Sequence, residues 1–453
     1  AGDEAVATSR PAAATRPAVA APTSRPAAAA WPDTRPPADE VPGLIAALSD
    51  PDWRARDAAQ AGLVRIGEPA VPALEAAARS TAGRDESRTA ARAALAQVAE
   101  DRVSGPSYVT LRVSDAPARQ AYEALGRQAF TPLKPYADTL WTEDAGRRKV
   151  TVAVDRQPFW VAMRELARQT GLEVRDVNGE PRLAPAGGGP GGQAAGRAVV
   201  AGAFLIAANQ VSRSRTVDLS ADGDPPVQEE FNIQFTAFAE PKLKVLGASS
   251  VLKLDEAVDD RGNSLLPPPD PAAAAADEVG GPVFGGDGSY SLLGTLRYPA
   301  KDAGTRIARL RGSAAFAVQV ESEKIDLAVA GLRGTTKAIK GVRVTFGELT
   351  KTGDGWQVKL TAAAAEANPL WQEVQNTIQT RLRVVDAAGQ PLEQQGFGST
   401  GNGSSVEVQL TFAPSHRAED GRQSGDPARL TWEVPTRTRD VTVPFEFRDL
   451  KLP

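Results

Sequence analysis

The sequence predicts a multidomain chain in three classes: an α-helical module, an α+β domain built from a duplicated βα unit, then all-β sandwiches. Three observations predict it. Apolar residues recur at helical spacing from Val41 to Ala99, a unit of 41 residues repeats between Val109 and Gln169, and alternation of period two dominates beyond Val199. A length of 453 residues holds roughly three to four domains of ordinary size. The hydrophobic fraction of 42% supplies buried cores, while 41 Gly and 35 Pro call for many turns and linkers.

The composition excludes several chemistries. There is no cysteine, one histidine (His416) and one methionine (Met163), so no thiolate nucleophile, no Cys/His zinc cluster and no second imidazole. A net charge of −4 gives no general electrostatic footprint for nucleic acid. No run approaches the roughly 18 consecutive apolar residues of a membrane helix. The sequence opens at Ala1 without methionine, as a secreted protein does after signal-peptide removal, and it has no N-terminal cysteine for a lipid anchor. Absence of cysteine also suits an oxidising envelope, so the expected location is secreted, periplasmic or cell-surface.

Residues 1–40 read as a disordered tail. Thr-(Ser)-Arg-Pro recurs at Thr8–Pro11, Thr15–Pro17, Thr23–Pro26 and Thr34–Pro36, separated by Ala and Pro. Few bulky apolar groups are present to offset the entropy of ordering it, about 1–2 kcal/mol per residue. A polyproline-like spacer is expected, and Thr and Ser beside Pro permit O-glycosylation.

Residues 41–100 carry four helices. Leu44, Ile45 and Leu48 share a face that Asp50-Pro51 terminates; Trp53, Ala59, Leu63 and Ile66 form the next stripe, closed by Gly67-Glu68-Pro69. Val71, Leu74 and Ala78 open a third helix, and Ala91, Leu95 and Val98 line a fourth. The runs Leu44–Ala59, with its Ser-Asp-Pro turn, and Ile66–Leu74, Ile-Gly-Glu-Pro-Ala-Val-Pro-Ala-Leu, resemble bacterial HEAT repeats. The resemblance covers about two repeats and implies stacked helix pairs that bind protein. Two repeats fall short of the three or more that bury a solenoid core, so they are expected to lean on the α+β domain next in the chain.

Residues 107–185 carry the repeat. Val109-Thr110-Leu111-Arg112-Val113 matches Val150-Thr151-Val152-Ala153-Val154, and Pro117, Ala121, Leu125 and Arg127-Gln128 match Pro158, Ala162, Leu166 and Arg168-Gln169. Each unit reads as a strand, a proline in the first helical turn and an amphipathic helix; a hairpin turning at Asn178-Gly179 closes the domain. The duplicated pattern, ending Leu166–Val174, resembles the short N-terminal domain of secretins and TonB receptors, which implies a periplasmic adaptor that docks envelope proteins. The combination with the helical module resembles secreted bacterial proteins pairing HEAT repeats with such a domain, across residues 43–185. Nothing downstream reads as a membrane barrel, and Leu452-Pro453 is not a terminal aromatic strand, so ring formation is not implied.

A glycine-rich linker at 186–197 leads to two immunoglobulin-like sandwiches, 198–335 and 336–453, the first with a mobile insert at 266–289. Candidate strands are Val199–Ala207, Phe231–Phe238, Ser250–Asp255, Ala314–Val320 and Lys324–Val329, then Val342–Leu349, Trp356–Ala362, Gln379–Val385, Ser405–Phe412, Arg429–Val434 and Val441–Phe447. Pro444 marks an edge strand. Leu252–Leu265 parallels Thr380–Leu392: each is a strand, a glycine turn and a strand restart.

Sites are few. His416, in Pro414–Asp420, reads as a solvated loop histidine. Asp255, Asp259, Asp260 and Asn263 could offer oxygen ligands to Ca²⁺, but they lack EF-hand order and read as a solvated turn. Arg84, Arg88 and Arg92 form a basic helical stripe open to an acidic partner, and Trp371 is the aromatic most suited to surface contact. No catalytic residue and no cofactor site is assigned. The expected function is a non-catalytic envelope adaptor that binds protein. Two alternatives are a glycan-binding or glycan-hydrolysing protein acting through the sandwiches, and a surface subunit polymerising through strand edges.

Overall fold

The computed structural model describes residues 35–80, 85–142, 144–177, 180–187, 197–217, 227–249, 251–268, 288–299, 301–365, 368, 370–415 and 423–453. The tail before Arg35, the centre of the predicted mobile insert, Arg84 and His416 lie outside the described residues. Strand outweighs helix, and the helices gather towards the N-terminus.

Four helices come first: α1 (Val41–Ala47), α2 (Trp53–Ile66), α3 (Val71–Arg79) and α4 (Asp85–Ser104). Prolines in the first turns of α1 and α3 fit positions whose amides need no helical acceptor. The Asp52 side chain caps α2 by accepting the Arg54 N–H at 3.0 Å. Gly67, at φ +69°, turns the chain out of α2. Helix α2 packs on α1 and α4, and α3 on α4, around Leu48, Leu63, Ile66, Leu74, Ala91 and Val98.

The repeated unit comes next as β1 (Tyr108–Pro117), α5 (Ala118–Gln128), β2 (Lys134–Pro135), α6 (Asp144–Arg147), β3 (Lys149–Pro158), α7 (Phe159–Thr170), β4 (Leu172–Val177) and β5 (Glu180–Pro185). Strands β1 and β3 pair antiparallel, with Leu111 opposite Val154 and Val113 opposite Val152, so the two copies face each other across a local two-fold. The same polar contacts recur 41 residues apart. Gln128 Oε1 accepts the Thr110 N–H and its Nε2 donates to the Thr110 carbonyl, both at 2.9 Å. Gln169 does the same to Thr151 at 3.0 and 2.9 Å. Thr110 Oγ1 accepts the Arg156 N–H, and Thr151 Oγ1 the Asp115 N–H. Asp115 and Arg156 are both at positive φ, where each strand bends. Pro117 and Pro158 are not in the first helical turns; they are the N-caps, extended at ψ 136° and 147°, ending the strand and aiming the helix.

The remainder comprises β6 (Ala198–Ala201), β7 (Phe204–Val217), β8 (Val227–Ala239), β9 (Val245–Ala248), β10 (Lys253–Asp259), β11 (Ser289–Leu296), β12 (Arg306–Ala328), β13 (Thr336–Ile339), β14 (Val342–Thr352), β15 (Gly355–Ala364), α8 (Trp371–Arg381), β16 (Leu382–Asp386), β17 (Glu393–Asn402), β18 (Ser405–Ala413) and β19 (Pro427–Lys451). Among the described residues these form three sheets, ordered β11-β8-β7-β6, β13-β14-β15-β18-β17 and β10-β12-β19-β16, with β9 also on β12. The last is a long sheet. Its 23-residue β12 and 25-residue β19 pair from Arg306–Lys451 to Ala328–Arg429. One end packs on the β6–β8 sheet through Phe316, Val443 and Phe445; the other packs on the β13–β18 sheet through Ile325, Leu430 and Trp432.

This overturns the boundary at 335. Two independent tandem sandwiches would each keep their own strands, but Val441–Phe447 returns to complete the first core. The breaks expected at Glu321 and near Arg437 are β-bulges inside continuous strands, where the register shifts. From Leu310 to Val318 the buried apolar positions are even, whereas Ile325 is odd. One extra residue accounts for that change of parity, so both partner sheets pack on one face. Two further boundaries differ. Gln379–Arg381 ends α8 before β16 begins, and the expected strand at Ser250 starts at Lys253. Pro444 sits opposite Ser313 beyond the reach of β16, so it does occupy an edge.

The glycine-rich linker does not separate independent bodies. Along β7, Phe204 and Ile206 enter the sandwich core while Leu205 and Ala207 enter the core of the repeated unit. A strand covered on both faces reads as a continuous apolar run, as Phe-Leu-Ile-Ala does here.

Candidate interaction cleft

Where the helices, the repeated unit and the first sandwich meet, a cleft of about 830 Å³ opens. The Gly67-Glu68-Pro69 turn and the end of α4 form one wall, Tyr108 and Phe130 another, and Lys242 and Arg439 come from the sandwich. Two guanidinium groups lie on aromatic faces: Arg35 at 4.8 Å from the Tyr108 ring centre and Arg102 at 5.0 Å from Phe130. Phe130 is 59% exposed and held at φ +54° just after α5, a costly conformation for an aromatic residue. Arg102 Nη1 also approaches Glu68 at 3.7 Å.

Beneath the cleft lies Glu240. Its side chain is fully buried; Oε2 accepts the Ser107 N–H at 2.8 Å, and Oε1 stands 3.8 Å from Lys242 Nζ without a hydrogen bond. Burial pushes the Glu240 carboxyl above its usual range, against the opposing pull of Lys242 and the Ser107 bond. Burial likewise lowers Lys242, which Glu240 counteracts. Burial also lowers Arg35, opposed by Tyr108 and Glu68. The back of the junction is clamped by Arg437 to Glu100 at 2.9 Å and by Arg439 to Asp101 at 2.6 Å, joining α4 to β19. The main support of α4 is thus the sandwich strand β19, where the sequence placed it on the α+β domain.

The residues singled out from sequence lie elsewhere. Asp259 Oδ1 accepts the N–H groups of Arg261 and Asn263; Oδ2 accepts Gly304 N–H and Asn263 Nδ2, all at 2.8–3.0 Å. Burial alone would raise Asp259, but these donors hold it below the usual carboxylate range. Asp260 bonds Thr305 through both oxygens. Asp255 is exposed, further back on β10, and no cluster of three His, Asp or Glu fit to hold a metal occurs among the described residues. The four are a turn and its flank. Asp386 repeats the arrangement, accepting from Ala388, Gln390 and Gly425 N–H, which is the physical source of the echo between Leu252–Leu265 and Thr380–Leu392.

Arg88 and Arg92 each reach the end of α3, donating to the carbonyls of Ser80 and Ala78 at 3.4 Å, where cations complement the helix terminus. Arg88 also pairs with Asp85. Trp371 opens α8 and packs half-buried against the second core, so it is not an open platform. Sequence reasoning missed Arg35, Arg102, Phe130, Glu240 and Lys242. The one available signal was Arg35 as the last copy of the Thr-Arg-Pro repeat; the others converge only through tertiary packing.

No family model matches the chain, and no curated protein matches it. Among solved structures it is similar to the crystal structure of the conserved domain protein from Bacillus anthracis, at 10% identity over 55% of this chain and 89% of that one. The TM-score is 0.16, too low to carry an argument about fold or function.

Proposed function

We propose that this chain is a non-catalytic interaction protein of the cell envelope, secreted or periplasmic, that docks a protein partner in the cleft between its helices, its repeated unit and its first sandwich. The observation that carries this reading is the pair of cation-capped aromatics on the rim, Arg35 on Tyr108 and Arg102 on Phe130. Aromatic and arginine side chains are the groups that dominate binding energy at protein interfaces. The likeness of the helices to HEAT repeats, and of the duplicated unit to the secretin and TonB-receptor domain, supports the same reading, since both are docking modules.

The test is retention of envelope proteins by the immobilised full chain, compared with Phe130→Ala and Arg102→Ala in the cleft and Phe397→Ala on β17. Loss of one specific protein with the cleft variants alone supports the proposal. Equal retention by all variants, or retention of polysaccharide in place of protein, overturns it and favours a glycan-directed role.

A further inference from the structure

The cleft already holds one ligand, and it belongs to the chain. Arg35 is the arginine of the fourth Thr-Arg-Pro unit. Its backbone N–H donates to the Arg156 carbonyl at 2.9 Å, and its guanidinium lies over Tyr108. Gly67 gives the seat its room: a Cβ there would stand 3.1 Å from Arg35 Nη2, and the glycine is at φ +69°. Pro36 biases Arg35 to extended backbone, and Pro37 continues it at φ −68° and ψ 151°, so the seat accepts an extended arginine–proline segment. The seat is imperfect, because Arg35 Nε is buried without a hydrogen-bond partner. That makes the occupant exchangeable.

We propose that this seat is an arginine–proline receptor, and that the Arg10-Pro11, Arg16-Pro17 and Arg25-Pro26 units of a second copy of the chain fill it in place of Arg35. Each unit has the same local chemistry: Ser or Thr, then Arg, then Pro. Each chain thus carries four ligands and one seat, and the residues preceding the seat hold the three spare ligands. Exchange links one copy to the next, and several units on one tail raise the effective concentration of each. The inference rests on the cleft being a docking site and specifies one segment that enters it.

The test uses a fluorescent peptide of residues 8–26 and the full chain carrying Arg35→Ala on an Arg10→Ala/Arg16→Ala/Arg25→Ala background, so that no tethered arginine fills its seat. The expected result is saturable binding to this open-seat chain and at least about tenfold weaker binding to the unsubstituted chain, whose tethered Arg35 competes. Binding should vanish for a peptide with all three arginines replaced by alanine, and for the open-seat chain combined with Tyr108→Ala. A folded open-seat chain that ignores the peptide overturns the proposal. A second measurement leaves the seat untouched: sedimentation of the unsubstituted chain against Arg10→Ala/Arg16→Ala/Arg25→Ala. Concentration-dependent association lost in the triple variant supports the proposal; identical sedimentation overturns it. Retention of an envelope protein that still depends on Phe130 would then leave the wider docking role standing, so the two readings fail separately.

Discussion

At the scale of single residues, the polar groups with the largest structural consequences are carboxylates that gather donors from distant segments. Glu433 is the strongest case. Lys244 Nζ lies 2.6 Å from both of its oxygens, and Gln319 and Ser322 donate to Oε1 at 2.7 Å. Burial alone would push Glu433 up, but these donors hold it down at about 2. The folded value lies below the ordinary 4.5, so the stabilisation is full above that value and is lost as pH falls from 4.5 towards 2. Glu433→Gln should therefore cost about 1–2 kcal/mol at pH 7, the group being partly exposed, and almost nothing near pH 2. Urea melts at both pH values check this; a cost independent of pH would contradict it. None of these partners was legible in the sequence, because Lys244 and Glu433 are separated by 189 positions. The same holds for Glu240 and Ser107 in the cleft, 133 positions apart.

At the scale of elements, what is local was legible. The four helices announced themselves through apolar spacing, prolines in first turns and the glycine after Ile66. The repeated unit announced itself through a period that the structure reproduces down to individual hydrogen bonds. Gln128 and Gln169, equivalent in the repeat by position alone, each satisfy both backbone groups of a threonine on the strand of their own unit. Replacing either by alanine leaves that strand's amide and carbonyl to solvent, and should cost about 1 kcal/mol each. The two losses should add within about 0.5 kcal/mol in the double variant, because the glutamines bond to different threonines. Chemical denaturation of the single and double variants measures it; a cost confined to one glutamine would show that the equivalence is geometric without being energetic. The packing of Trp371 was illegible for the opposite reason: it is half-buried because α8 covers the second core, a fact visible only once the strands it covers are assembled.

At the scale of the whole molecule, the long sheet joins what alternation alone divides. Period-two patterning locates strands but does not identify their partners, so Ala314–Val320 and Lys324–Val329 read as two strands of one sandwich. They are one strand serving two cores. A fragment spanning 198–335 would lack the β19 face carrying Val441, Val443, Phe445 and Phe447, and should be insoluble or bind hydrophobic dye. The span 198–453 should melt in a single calorimetric transition, because β12 and β19 couple the halves. A soluble, cooperatively folding 198–335 fragment would refute the coupling.

The pairing of Arg306 with Lys451 also sets an order of assembly during synthesis. Ribosomes deliver about 5–20 residues per second, so the first sandwich waits roughly ten seconds with one core face uncovered before β19 emerges. The other strands of the second sandwich, β13 to β18, are made within that wait. A premature stop inside β19 would thus damage the first sandwich, whose other strands were made before those of the second, and it would leave apolar strands open to whatever chaperone attends the nascent chain.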